Sequence, residues 1–194
     1  QARPRDVAKF RATMLDLARN ERFAETAIYA LPVGGSFKEG PSIHMMKAAL
    51  IEYTNLQLLT VEHGKTREQS TVEIVVWELE KNVRTISRVL VLHKPDAKDQ
   101  TIRWQTKAEV AKETRNIIKS VLPSDVISEV FDECIKTVDR SIGKNKTAAP
   151  AMVKAFEEIG INVQRLRQFC GVDKSRALDD WRPAEIRRLR SGCA

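Results

Sequence analysis

Apolar side chains recur at three- and four-residue spacing through residues 6–20, where Val7, Phe10, Met14, Leu15, Leu17 and Ala18 predict an amphipathic helix behind Pro4. Residues 27–31 predict a short strand, stopped by Pro32-Val-Gly-Gly-Ser, a glycine turn open to backbone angles closed to other residues. Helical spacing returns behind Gly40-Pro-Ser, with Pro41 suited to a first helical turn. Ile43, Met46, Leu50, Ile51 and Tyr53 carry it to about Asn55. Residues 56–62, 71–77 and 84–92 then predict three strands, joined by the hairpin-sized polar links His63-Gly-Lys and Glu80-Lys-Asn.

A loop is expected over 94–100, followed by a long helix over 106–121 with Val110, Ile117, Ile118 and Val121 as its apolar stripe. Pro123 interrupts it, and 124–138 predicts the next helix. Residues 141–150 lack large apolar groups apart from Ile142 and are expected to be a linker. Beyond it, 151–159, 163–169 and 183–189 predict three short helices, the first two ended by Gly160 and Gly171. The expected fold class is α+β: an antiparallel β-meander packed against helices, with a small C-terminal three-helix module. The expected organisation is a core over 1–140, the linker over 141–150 and the helical module over 151–194. No internal repeat is visible.

The 194 residues are 42% hydrophobic and 30% charged, the balance of a globular chain, and no apolar run reaches membrane-spanning length. The N-terminal residues lack the apolar core of a secretory signal, and the start at Gln1 rather than Met suggests that more chain precedes it. Cys134, Cys170 and Cys193 are widely spaced and odd in number, with no metal-ligand spacing, so neither zinc nor a disulfide framework is expected and a reducing cytoplasm fits.

The net charge of +7 changes the picture more, because Lys and Arg gain affinity for a polyanion by displacing its counterions. Arg84, Arg88, Lys94 and Lys98 lie on the third predicted strand and its exit. Arg103, Lys107, Lys112, Arg115 and Lys119 lie on or just before the next helix, and the acids in the span are Asp96, Asp99, Glu109 and Glu113. If that helix crosses the sheet, both sets line one phosphate-tracking groove; the bland alternative is a solvated charged face. Trp104 is placed either to stack on a base or to enter the core, whereas Trp77, ending an apolar strand, is expected in the core. The C-terminal module carries Arg165, Arg167, Lys174, Arg176, Arg182, Arg187, Arg188 and Arg190, in a cadence that also suits helix-turn-helix contact with duplex.

Enzymatic motifs fare worse. Gly143-Lys144 is followed by Asn145 rather than Ser or Thr, and no Gly sits five residues before Gly143, so a phosphate-binding loop fails. Asp96-Ala-Lys98 has a nuclease-like spacing but falls in a Pro-flanked loop, away from Glu73, Glu78 and Glu80. His44, His63 and His93 are scattered, with no orienting partner visible. No catalytic residue, cofactor or metal is therefore expected.

Tyr29-Ala-Leu-Pro-Val-Gly-Gly, then Gly40-Pro-Ser-Ile and Asn55, resembles a phage and prophage recombinase family. The likeness continues at Trp77-Glu-Leu-Glu-Lys-Asn-Val-Arg84, His93, Arg115 and Leu122-Pro-Ser-Asp-Val-Ile, and more weakly at Phe156-x-x-Ile-Gly160-Ile. Val33, His44 and Lys112-Glu113 depart from it. The layout is similar to that of the RecT and Red-beta annealing proteins. That resemblance implies an oligomeric ring or filament that coats single-stranded DNA and pairs complementary strands into an annealed duplex without ATP. It further implies a phage exonuclease or a host single-strand-binding protein as partner. The competing expectation is a phage-encoded adaptor that binds a protein through its helical tail.

Overall fold

The computed structural model describes residues 4–33, 36–144, 148–173 and 175–191. Its elements are α1 (Val7–Ala18), α2 (Glu21–Ala27), β1 (Ile28–Val33), β2 (Ser36–Pro41), α3 (Ile43–Glu52), β3 (Leu56–Lys65), β4 (Gln69–Glu78), β5 (Val83–Leu92), α4 (Asp99–Val121), α5 (Ser124–Lys144), α6 (Ala148–Glu158), α7 (Val163–Cys170), a 3-10 turn Leu178–Asp180 and α8 (Pro183–Ser191). The fold is α+β with the antiparallel meander β3-β4-β5, as the pattern predicts. No helix among the described residues is long and apolar enough to cross a membrane.

The chain forms two compact units, Gln1–Met14 with Ile43–Glu129, and Leu15–Ser42 with Val130–Ala194. Neither is continuous in sequence: the chain crosses between them within α1, between β2 and α3, and within α5. The expected linker is changed. Residues 141–144 end α5, whose apolar stripe runs on through Val138 to Ile142, and 148–150 open α6; residues 145–147 lie outside the described residues.

In the first unit the meander buries one face under α4, with α3 packed beside it. Along β4 the positions Ser70, Val72, Ile74, Val76 and Glu78 are buried, and the register sets Leu58, Val76 and Thr85 in one row and Thr60, Ile74 and Ser87 in the next. Ser87 donates to a Glu113 carboxylate oxygen at 2.6 Å, which fixes this face as the one under α4. Two boundaries differ from expectation for local reasons. β3 passes through His63-Gly-Lys by a bulge between Glu62 and Gly64. The turn falls instead at Thr66, whose hydroxyl accepts from the backbone N–H groups of Glu68 and Gln69 at 3.2 and 3.1 Å. α4 starts seven residues early, at Asp99 rather than 106, because Ile102 is buried about two turns before Val110, the first counted stripe position, and Asp99 suits a helix N-terminus.

The second unit pairs β1 with β2 and gathers α6, α7 and α8. The first Gly of Gly40-Pro-Ser-Ile faces Tyr29 across this ribbon, and a Cβ there would lie 2.8 Å from the tyrosine ring. Ser42 is buried, its backbone N–H bonded to the Ala27 carbonyl at 2.7 Å and its hydroxyl to that of Thr26 at 2.6 Å. Pro41 ends β2 instead of opening a helix, since Ser42 is tied back to α2. The glycine turn expected at Gly34-Gly35 lies outside the described residues.

Candidate nucleic-acid interface

The concave surface of the first unit lies between the covered face of the meander and α4. β3 is one strand wider than the helix can cover, so Leu58, Thr60 and Glu62 form an open floor beside Ser70 and Val72 of β4. The wall is one side of α4, where Arg103, Thr106, Lys107, Val110 and Thr114 follow at helical spacing. α3 closes one end with Ile43 and Lys47, four residues apart on one face, and Lys65 stands at the other end of β3. The groove encloses about 540 Å³. Lys47, Lys65, Arg103 and Lys107 are all exposed, and Glu62 is the sole carboxylate among the described residues that line it. Lys65 also borders a second depression of about 470 Å³, where Arg67 is offset by Asp99.

His93 locks that end in place. Its Nε2 lies 3.0 Å from the hydroxyl of buried Ser70, its Nδ1 3.3 Å from the Arg67 carbonyl, and its backbone N–H donates to the Glu68 carbonyl at 2.7 Å. These bonds tether the end of β5 to the β3–β4 turn that carries Lys65 and Arg67.

Of the basic residues expected to share one groove, the structure brings two to it, Arg103 and Lys107. Arg84 and Arg88 sit on the opposite face of the sheet. They occupy even positions of β5, paired with Trp77 and Glu73 of β4, whereas the positions under α4 are the odd ones of β5 and the even ones of β4. The Arg84 guanidinium lies 4.3 Å over the Trp77 ring, and Arg88 is bonded to Glu73 at 2.8 Å. That hydrogen bond, with the Arg88 and His63 charges behind it, outweighs burial and holds the Glu73 carboxyl below the usual carboxylate range. Trp77 is therefore not core: it is half-buried, with its Nε1–H donating to Asn82 Oδ1 at 3.1 Å. Lys94 and Lys98 are exposed in the stretch before α4, with Lys98 at the helix N-cap. Lys112, Arg115 and Lys119 lie at i, i+3 and i+7 along another side of α4, shared with Trp104, and Lys112 pairs with Glu109 at 3.3 Å. Trp104 is 70% exposed and is thus not a core residue.

Sequence reasoning missed Lys47 and Lys65. Lys65 fell in an expected turn and Lys47 on a largely apolar helix; the packing of α3 beside α4 brings Lys47 to the groove, and the continuation of β3 past its bulge brings Lys65.

Other features of the expectation have internal explanations. The Trp77-Glu-Leu-Glu-Lys-Asn-Val-Arg84 segment builds the β4–β5 turn. Asn82 adopts φ 53°, a left-handed angle that asparagine tolerates. Glu78 pairs with Arg5 at 2.7 Å and Lys81 at 3.0 Å, and Glu80 accepts from Asn55 at 2.7 Å. In the second unit, the C-terminal arginines are largely engaged inside the unit. Arg167 donates to the carbonyls of Asp173 and Arg176, Arg176 grips Glu185 at 2.7 Å, and Arg187 pairs with Asp139 and with Glu39. Arg188 donates to the Cys170 carbonyl at 2.9 Å. Four of the eight cations proposed for duplex contact thus hold the module together; Lys174 and the Arg190 side chain lie outside the description. Among the described residues no cluster of three or more His, Cys, Asp or Glu is placed to hold a metal ion.

Compared with profiles of protein families, with curated proteins and with solved structures, the chain matches none.

Proposed function

We propose that this protein binds single-stranded DNA and pairs complementary strands without hydrolysing a nucleotide, as an oligomer acting in phage-type recombination in a bacterial cytoplasm. The observation that carries the reading is the groove of the first unit, with Lys47, Lys65, Arg103 and Lys107 around an apolar and hydroxyl-bearing floor. Four cations with one carboxylate favour a polyanion through counterion release. Leu58, Ile43 and Val110 offer surface to sugars and base faces, and Thr60 and Thr106 offer hydroxyls to phosphate oxygens. The groove is open, so a strand bound by its backbone keeps base edges available to a complement. The reading assigns no residue a covalent role, and the resemblance at Gly40-Pro-Ser-Ile and the Trp77 segment adds support drawn from sequence alone.

The test is fluorescence anisotropy of a labelled oligonucleotide at low salt, followed by annealing of two complementary oligonucleotides without ATP. Absence of affinity at low salt overturns the reading. In that event the adaptor reading stands in its place. It is favoured by an apolar pocket of about 440 Å³ in the second unit, lined by Phe156, Ile161, Leu166, Phe169 and Leu189.

A further inference from the structure

The face of the meander turned away from α4 is unusual for a sheet open to water. Alternation places Leu59 and Val61 of β3 and Ile86, Leu90 and Leu92 of β5 on it; Leu59 and Ile86 flank Val75 of β4, and Leu90 and Leu92 lie beyond the Arg88–Glu73 row, beside Thr71 and Gln69. The first five are between 45% and 71% exposed. A solvated face of an antiparallel sheet ordinarily carries polar side chains at these positions. Five large apolar groups about half exposed put roughly 500 Å² of apolar surface on this face, in two clusters on either side of the Arg88–Glu73 pair.

Its charges are already satisfied. Glu73 lies centrally, bonded to Arg88 at 2.8 Å and 3.4 Å from His63, and Arg84 stacks on Trp77. Arg88 and Glu73 satisfy one another, so a polyanion meets only the Arg84 guanidinium, itself held over the Trp77 ring, and an apolar partner strands neither member of the pair.

We propose that this face packs against the same face of a second copy of the chain, sheet on sheet. Three features select a copy over another occupant. Two sheets of equal twist stack in alignment, about 10 Å apart, with side chains interdigitating. Two such faces together bury roughly 1,000 Å², the lower limit for a specific interface. The ion pair is self-complementary: a two-fold axis between Glu73 and Arg88 sets the arginine of each copy over the glutamate of the other, so contacts repeat in both directions. The proposal adds a contact surface to the oligomer named above, and its residues are separate from the groove.

The experiment is sedimentation equilibrium of the full chain without nucleic acid, comparing wild type with Ile86→Asp. A dimer is expected for wild type, with the monomer–dimer midpoint of the variant raised by at least about tenfold, while oligonucleotide affinity and the circular dichroism spectrum stay unchanged. If Ile86→Asp fails to fold, Leu90→Asp, at a more exposed position, takes its place. A wild type that stays monomeric at the highest attainable concentration overturns the proposal whether or not it binds DNA. So does a variant that dimerises as wild type does. Loss of oligonucleotide affinity in a folded variant, or wild-type capture by lipid vesicles that the variant escapes, assigns the face to nucleic acid or to a membrane and overturns it as well. Failure of DNA binding with dimerisation intact removes only the function proposed above.

Discussion

Replacing Arg103 and Lys107 together by alanine tests the groove most directly, because the salt dependence of binding counts the cations involved. For a single strand, the logarithm of affinity falls against the logarithm of salt with a slope of about −0.7 per phosphate neutralised. If Lys47, Lys65, Arg103 and Lys107 each meet one phosphate, the slope is about −2.8, and raising salt from about 50 to 200 mM weakens binding roughly 50-fold. The double variant retains two of the four. Its slope falls to about −1.4, the same salt step costs only about sevenfold, and at about 0.1 M salt it binds roughly 25-fold more weakly than wild type.

The substituted side chains are exposed on a helix, where alanine is the best helix former, so the fold is expected to survive. Anisotropy titrations of a labelled oligonucleotide in magnesium-free buffer at several salt concentrations supply both slopes. Arg84→Ala with Arg88→Ala is the matched control: it removes the same charge from the opposite face, and its slope is expected to equal that of wild type. The reasoning fails if the groove variant keeps the wild-type slope. It fails equally if the control loses slope as steeply as the groove variant does, since the strand would then follow the other face.

Arg187 is buried and holds Asp139 and Glu39. Arg187→Met should lower stability by about 3 kcal/mol, the low end for breaking a buried pair because both acids keep some water access; a urea midpoint shift worth less than about 1 kcal/mol refutes this. Glu78 is pushed up by burial, but hydrogen bonds from Arg5 and Lys81 win and hold its folded pKa below the ordinary value. The stability it contributes is therefore fully present above the unfolded pKa and is lost as pH falls through the folded one. Acid unfolding followed by circular dichroism should accordingly be shallower in Glu78→Gln, and identical acid limbs would contradict the pairing. Burial pushes the Cys134 and Cys170 thiols up to about 12. In a Cys193→Ser background, native protein at pH 8 should react with a thiol reagent roughly 1,000-fold more slowly than a thiol of ordinary pKa, and prompt modification without unfolding refutes their burial.

The meander and most helices were legible because their signals are local. Period-two alternation marks the three strands, and Gly160 and Gly171 end helices where φ reaches 84° and 70°. What escaped depended on contacts between distant residues. α2 is seven residues long and β2, Ser36–Pro41, holds two glycine-turn neighbours and a lysine, so neither has a periodicity of its own. β2 exists because β1 pairs with it, and Gly40 is needed because the Tyr29 ring lies over it. The resembled segment was therefore visible as a motif, while its physical role, a close approach across a ribbon, was not.

The candidate site shows the same division in a sharper form. Clustering in sequence favoured Arg84 and Arg88 together with the α4 cations, yet alternation already held the correction. Arg84, Ile86, Arg88, Leu90 and Leu92 share one face of β5, and Thr85, Ser87, Val89 and Val91 share the other. Which face receives the helix is not decided by hydropathy there, because the exposed face carries Ile86, Leu90 and Leu92 against Val89 and Val91 on the covered one. The central strand decides it: Val72, Ile74 and Val76 demand cover from α4, and register then forces Ser87 inward to Glu113 and Arg88 outward to Glu73. The open apolar face is where a second copy is proposed to pack, as the open basic groove is where a polyanion is proposed to lie. The two stand on opposite sides of one sheet, so a strand in the groove and a second copy on the outer face do not compete for the meander.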